Sequence, residues 1–180
     1  MSGRTVAVFG SSEPLEGDPI YEAARATGRL LAAAGFAVAT GGYGGVMEAA
    51  SRGASESGGR AIGVTCSIFP ERSANRWLTE VRETADLHER QRVLVEIADG
   101  YVVLPGKSGT LAELTLVWAL HRAGSLPHRP VVLLGAGWVH FLRHLVQGSM
   151  IEPEQLAITR AVGTPEEAVG VVDAFLAAEG

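Results

Sequence analysis

Residues 98–120 read A-D-G-Y-V-V-L-P-G-K-S-G-T-L-A-E-L-T-L-V-W-A-L, the pattern of a strand, a glycine-rich turn and a helix. Residues 101–104 form a short apolar run with β-branched and aromatic side chains, which predicts a strand buried on both faces. Pro105 ends the run, and the apolar spacing from Leu111 onward predicts a helix. A strand, a turn and a helix in this order form the repeating unit of an α/β fold.

The turn at residues 106–110 is suited to binding an anion. Gly106 and Gly109, together with the small residues Ser108 and Thr110, let backbone N–H groups come close to a ligand. The N-terminus of the following helix adds about half a positive charge at the same place. We therefore expect a phosphate site here. Glu113, expected in the first turn of the helix, is then either a partner of the helix dipole or a catalytic group beside a phosphorylated substrate.

On either side of this stretch, short apolar runs alternate with amphipathic segments. The predicted strands are residues 5–9, 36–39, 61–64, 101–104 and 130–134, with a further short strand or arm near 78–81. The predicted helices are residues 21–34, 46–56, 87–98, 138–146 and 165–178, in addition to the one that follows residue 110. The alternation predicts a Rossmann-like, doubly wound parallel sheet in three α/β/α layers, formed by one domain over residues 1–180.

Composition narrows the classes of function. The chain has 180 residues, of which 47% are hydrophobic and 19% charged, as in a globular domain. It has no apolar run of the ~18 residues that a membrane span needs, and residues 1–4 do not resemble a signal peptide, so we expect a cytoplasmic protein without membrane contact. The net charge of −5 argues against a nucleic-acid-binding surface but allows a small anionic ligand.

Single residues limit the available chemistry. Cys66 is the only cysteine, and we expect it to be a buried structural thiol. Lys107 is the only lysine, so any Schiff-base chemistry would have to use it. His140 and His144 are four residues apart, but the segment lacks the glutamate of a zinc-protease motif, and we expect surface histidines and no metal site.

Three small-residue turns follow predicted strands: Gly10 with Ser11 and Ser12, residues 41–45, and residues 106–110. In a parallel sheet such turns lie at the carboxyl edge, where ligands bind, so we expect a nucleotide or sugar-phosphate site there. The first turn lacks the second and third glycines of a dinucleotide fingerprint, which argues against NAD or FAD. Tyr101 stands where a P-loop would need its first glycine, so P-loop NTPase chemistry is also disfavoured, and we expect no cofactor.

Together, these motifs resemble the LOG family of cytokinin-activating phosphoribohydrolases, formerly described as possible lysine decarboxylases. The resemblance covers roughly residues 6–134 and rests on three motifs. These are T-G-G-x-G-G-V-M at residues 40–47, H-E-R at residues 88–90 and P-G-x-x-G-T-x-x-E at residues 105–113. A member of this family would cleave the N-glycosidic bond of a nucleoside 5′-monophosphate, releasing the base and ribose 5-phosphate.

The resemblance also implies roles for residues. Arg90 and Glu113 would be the catalytic pair. The phosphate and nucleotide would be bound by Ser11, Ser12, Gly42, Gly44, Gly45, Met47, Gly106, Lys107, Ser108, Gly109 and Thr110. Members of the family form homodimers through helices near the last motif, which implies a homodimer here, with an arginine of the partner reaching each site.

The chemistry also follows from the residue types. Breaking a glycosidic bond builds positive charge on the ribose C1′. A carboxylate such as Glu113 could stabilise this charge or orient the attacking water. Arg90 could keep Glu113 ionised or support the departing base, although without the resemblance its position on the predicted helix favours a surface arginine. Four residues depart from the family pattern, so the resemblance does not identify the base: Glu48, Gln91, Lys107 and Ser108.

Two other functions remain open. A non-catalytic carrier of a nucleotide or of the molybdenum cofactor would keep the glycine turns without needing both Arg90 and Glu113. Lysine decarboxylation would need a cofactor lysine, and Lys107 is poorly placed for that role in a glycine turn.

Overall fold

The computed structural model describes residues 3–178, so Met1 and Ser2 of the N-terminal segment lie outside the described residues. Within this range the strands are β1 (Thr5–Phe9), β2 (Ala37–Thr40), β3 (Ala61–Cys66), β4 (Glu80–Thr84), β5 (Gly100–Val103), β6 (Val131–Leu134) and β7 (Thr159–Val162). The helices are α1 (Pro19–Ala33), α2 (Val46–Glu56), α3 (Leu87–Ile97), α4 (Ser108–Arg122), α5 (Gly137–Gln147), α6 (Pro153–Ala157) and α7 (Pro165–Ala178).

The strands form one parallel sheet in the order β4-β3-β2-β1-β5-β6-β7. The chain builds one half outward from β1 and then returns to β5 on the other side of β1, so the order reverses between these two strands. Ligands of doubly wound sheets bind beside such a reversal, outside the carboxyl ends of the strands. Phe9 pairs with Val103 there, which places the turns after β1 and β5 side by side.

Two apolar cores lie on opposite faces of the sheet, which gives the expected three-layer α/β/α architecture. One core packs α1, α2 and α7 against alternate residues of the central strands, such as Val6, Val8 and Val38. The other core packs α3, α4 and α5 against the intervening strand residues, such as Ala7 and Phe9, whose side chains point to the opposite face. The alternation follows from the two-residue period of a strand, and strands covered on both faces are apolar throughout.

Helices α1 and α2 cross in close contact because each carries a glycine at the crossing. A Cβ on Gly28 would overlap the carbonyl oxygen of Ala50 in α2, and a Cβ on Gly53 would overlap the carbonyl oxygen of Arg25 in α1. The close approach fixes α2, whose N-terminal end holds the glycine turn that follows β2.

Several boundaries differ from the sequence predictions. Strand β7 and the short helix α6 were not predicted, and the strand expected near residues 78–81 is β4, at Glu80–Thr84. Helix α4 begins at Ser108, so Glu113 lies in its second turn; the prediction of a first-turn position is wrong. Glu113 is therefore beyond the residues where the helix dipole acts most strongly. No helix in the described part of the chain is long and apolar enough to span a membrane.

Candidate functional site

A cavity of about 360 Å³ lies at the carboxyl edge of the sheet, where the strand order reverses. All three small-residue turns contribute to its wall. Its lining consists of Val8, Phe9, Gly10, Ser11, Ser12, Glu13, Gly41, Tyr43, Met47, Phe69, Arg72, Leu87, Arg90, Lys107, Ser108, Gly109, Thr110 and Glu113. We call this space the edge cavity.

The N-terminus of α4 faces the edge cavity with free hydrogen-bond donors. Ser108, Gly109 and Thr110 are its first three residues, and their backbone N–H groups have no acceptor within residues 3–178. Gly109 has open space where a side chain would lie. Three free N–H groups and the positive end of the helix dipole favour a bound anion at this point.

Backbone hydrogen bonds join the three turns. The N–H of Ser11 donates to the carbonyl of Pro105 (3.1 Å), and the N–H of Val46 donates to the carbonyl of Ser11 (2.9 Å). Gly106 permits this approach, because a Cβ there would overlap the hydroxyl of Thr110 and lie 3.0 Å from the nitrogen of Ser11. The turns therefore form one connected wall.

Arg90 is buried at the base of the edge cavity, with 8% of its surface exposed. Its Nε donates to the carbonyl of Val64 (2.8 Å), and its Nη2 donates to the carbonyl of Gly41 (3.0 Å). The guanidinium also lies 5.5 Å from the ring centre of Tyr43. The Nη1 group has no partner among the described residues and is left to bind a ligand, so the structure excludes the surface arginine that the spacing alone allowed.

Glu113 faces the same cavity from α4 and is half-buried. Burial raises the pKa of its carboxyl group to about 7, while the charge of Arg90 acts in the opposite direction. No hydrogen-bond or ion-pair partner of this carboxylate is found within residues 3–178. A carboxyl group that titrates near neutral pH beside a fixed positive charge can accept or release a proton during a reaction.

The turn after β2 is held by glycine backbone and by Tyr43. Gly42 and Gly45 have φ angles of 80° and 67°, which side chains other than glycine rarely adopt. The hydroxyl of Tyr43 donates to the carbonyl of Cys66 (3.0 Å) and accepts from its N–H (2.8 Å). This pair of bonds fixes the turn against the end of β3.

The predicted binding residues fall into two groups. Ser11, Ser12, Met47, Lys107, Ser108, Gly109 and Thr110 line the edge cavity, as do Arg90 and Glu113. Gly42, Gly45 and Gly106 are not in the lining and instead shape the turns behind it. Gly44 lines an adjoining hollow of about 310 Å³, together with Ser12, Tyr43, Arg72 and Ser73.

Lys107 lies at the rim of the edge cavity. Its ammonium forms an ion pair with Glu13 (2.6 Å), and 74% of its side chain is exposed. The Oγ of Ser11 accepts from the N–H of Glu13 (3.2 Å), so this hydroxyl supports its own turn.

The sequence analysis missed Phe69 and Arg72, which lie on the irregular segment between β3 and β4. Neither residue belongs to a motif or to a periodic pattern, so only the folded chain brings them to the cavity.

The remaining candidates have structural explanations. Cys66 is buried, as expected. His140 and His144 are exposed, and a ring nitrogen of His144 contacts the carbonyl of His140 (3.1 Å). Within the described residues there is no group of three or more side chains that could hold a metal ion.

A family model described as "Possible lysine decarboxylase" matches residues 47–172, which include Arg90 and the whole segment from β5 to α4. The chain belongs to this family. This confirms the resemblance to the LOG family that the motifs indicated.

Members of the LOG family with curated names are similar over much of the chain. The cytokinin riboside 5′-monophosphate phosphoribohydrolase of Rhodococcoides fascians is 33% identical over 135 residues, which is 73% of this chain and 67% of that protein. A solved structural-genomics target, TM1055, is 30% identical, with a TM-score of 0.77 over 95% of this chain and 99% of that chain.

The fold is shared beyond these sequences. The molybdenum cofactor binding protein of Rippkaea orientalis has a TM-score of 0.78 over 98% of this chain and 99% of that chain, at 22% identity. This likeness supports the three-layer architecture alone.

Proposed function

We propose that this protein is a phosphoribohydrolase that cleaves the N-glycosidic bond of a nucleoside 5′-monophosphate. One observation supports the proposal above all others. The free N–H groups of Ser108, Gly109 and Thr110 open into the same cavity as Arg90 and Glu113. A phosphate held by these N–H groups would position the sugar next to a cation and a carboxylate, and binding energy from the phosphate would serve the reaction at C1′.

The reaction balances with water as the second reactant. The bond between C1′ and the base nitrogen breaks, and its electron pair leaves with the base. The carboxylate of Glu113 stabilises the positive charge that develops on the sugar and accepts a proton from the attacking water. The oxygen of this water bonds to C1′. Glu113 returns the proton of the water to solvent and the base takes up a proton from solvent, so the products are the free base and ribose 5-phosphate.

Arg90 acts from a fixed position. The carbonyl groups of Val64 and Gly41 hold its Nε and Nη2, and its Nη1 has no hydrogen-bond partner among residues 3–178. A preorganised guanidinium stabilises the negative charge of the departing base without reorganising during the reaction. It also favours the ionised form of Glu113, which burial opposes.

Decarboxylation of lysine has less support. It would need Lys107 as the attachment point for a cofactor, and this side chain extends into solvent to pair with Glu13. A homodimer and a cytoplasmic location are parts of the proposal that come from the sequence and the family resemblance.

The test is release of free base from AMP, GMP and isopentenyl-AMP, measured by chromatography. We expect release by the wild-type protein and a loss of at least about 100-fold in Glu113→Gln, because this variant cannot accept a proton. Binding of AMP by the variant, measured by calorimetry, should persist, because the donors at the start of α4 are unchanged.

Glu83→Gln is the matched control, since Glu83 is an exposed residue of β4. It should release base at the wild-type rate. Tight nucleotide binding by the wild-type protein without any base release would contradict the hydrolase and support a non-catalytic binding protein. The Rippkaea orientalis neighbour is a molybdenum cofactor binding protein.

A further inference from the structure

Building on the proposed function, we infer that Arg72 selects nucleotides with a 6-oxopurine base, guanine or hypoxanthine, over those with adenine. Phosphate at the start of α4 and ribose beside Arg90 and Glu113 leave one part of the edge cavity for the base. We assign to it Phe69, Arg72 and Tyr43, which line the cavity and contact one another.

A short turn places both side chains. The N–H of Arg72 donates to the carbonyl of Phe69 (2.9 Å), and the N–H of Phe69 donates to the carbonyl of Cys66 at the end of β3 (3.2 Å). Phe69 meets the ring of Tyr43 edge to face, with 6.0 Å between the ring centres. The two rings are nearly perpendicular, at 89°, and form an apolar corner against which a base can pack.

The same segment is tied to the glycine turn on its other side. The backbone N–H of Asn75 donates to the carbonyl of Gly42 (2.9 Å), and its side-chain amide donates to the carbonyl of Tyr43 (3.1 Å). Arg72 therefore extends from a backbone that is anchored at both ends.

Arg72 is stacked rather than paired. Its guanidinium carbon lies 5.0 Å from the ring centre of Phe69 and 5.8 Å from that of Tyr43, and no carboxylate of the described residues forms an ion pair with it. A guanidinium stacked on a ring keeps its N–H groups free at its edge. Because Arg72 lines the edge cavity, these donors are available to the edge of a base that packs in the aromatic corner.

The donors favour some bases over others. Guanine and hypoxanthine offer two adjacent acceptors, O6 and N7, which match the forked N–H groups of an arginine. Adenine has N7 next to an amino group that donates, so it cannot accept two bonds from the same fork. A 6-alkylamino adenine has the same mismatch.

The experiment compares kcat/KM for GMP, IMP and AMP in the wild type, Arg72→Lys and Arg76→Lys. We expect the wild type to prefer GMP and IMP over AMP by about tenfold or more, as for other bidentate contacts to these acceptors. Arg72→Lys should abolish this preference, because lysine keeps the charge and loses the fork. Arg76→Lys should retain it, since Arg76 stacks on Trp77 outside the edge cavity lining.

Equal kcat/KM for GMP and AMP, or a preference that survives in Arg72→Lys, would overturn the inference and leave the hydrolase intact. Inhibition by ribose 5-phosphate provides a second readout. It should be the same in the wild type and Arg72→Ala, and weaker inhibition of the variant would show that Arg72 acts on the phosphate instead.

Failure of the hydrolase itself gives a different pattern. No nucleotide would then release base. In that case the dissociation constants of GMP and AMP are measured for Glu113→Gln and for the double variant that carries both Glu113→Gln and Arg72→Lys. Tighter GMP binding that requires Arg72 supports the inference in that case, and equal binding overturns it.

Discussion

Gly109 is the second residue of α4, and its backbone N–H is one of the three free donors in the edge cavity. Space for a side chain is open there. We predict that Gly109→Asp folds at least as well as the wild type, because a carboxylate near a helix N-terminus is favourable. The same carboxylate repels a phosphate, so we expect calorimetry to show AMP binding weakened more than tenfold.

Gly109→Asn is the matched control, because asparagine has nearly the same shape without the charge. It should recover most of the AMP affinity that Gly109→Asp loses. Equal losses in the two variants would mean that the side chain obstructs the cavity and that no anion binds at the start of α4.

The packing of helix α1 against helix α2 depends on the absence of a side chain at a glycine. A Cβ on Gly28 would meet the backbone of Ala50, which cannot move aside without shifting α2. We predict that Gly28→Ala lowers the free energy of unfolding by about 1–3 kcal/mol, as overpacking does in other cores. Urea denaturation measures this change.

Gly170→Ala on α7 provides the comparison, because no atom lies within 4 Å of a Cβ at that position. Alanine should raise the free energy of unfolding there by about 0.5–1 kcal/mol through its higher helix propensity. A Gly28→Ala protein as stable as the wild type would mean that α1 and α2 can separate without cost.

The titration of Glu113 affects the stability of the whole molecule. Its pKa rises from 4.5 to about 7 on folding, so the folded state binds more protons than the unfolded state between these values. Stability is therefore lost as the pH rises from about 4.5 to about 7. We predict that Glu113→Gln removes this loss and is more stable than the wild type above pH 7, by about 2 kcal/mol after allowance for solvent screening.

The same group gives a pH dependence of activity. Because the ionised carboxylate is the reactive form, kcat/KM for GMP should rise as the pH increases through about 7. Thermal unfolding and base release, each measured from pH 5 to pH 9, check the two parts. If the difference in stability between Glu113→Gln and the wild type did not change with pH, it would contradict the burial of this carboxylate.

Much of the fold was predictable because it rests on local patterns. The buried strands are continuous apolar runs, and α2 and α7 were predicted with the observed bounds of Val46–Glu56 and Pro165–Ala178. Strand β7 escaped prediction because Arg160 interrupts its short apolar pattern at the edge of the sheet. Helix α6 has five residues, which is too short for a helical period to be recognised.

The sequence by itself determined the parallel α/β architecture, the glycine turns and the pairing of Arg90 with Glu113 as candidates, because each depends on neighbours in the chain or on a family motif. Only the tertiary structure decided that Arg90 is buried and that burial raises the pKa of Glu113. It alone brought Phe69 and Arg72 to the cavity. The physical reason is that solvent exclusion and contact between distant segments arise when the sheet assembles, and neither leaves a periodic signal along the chain.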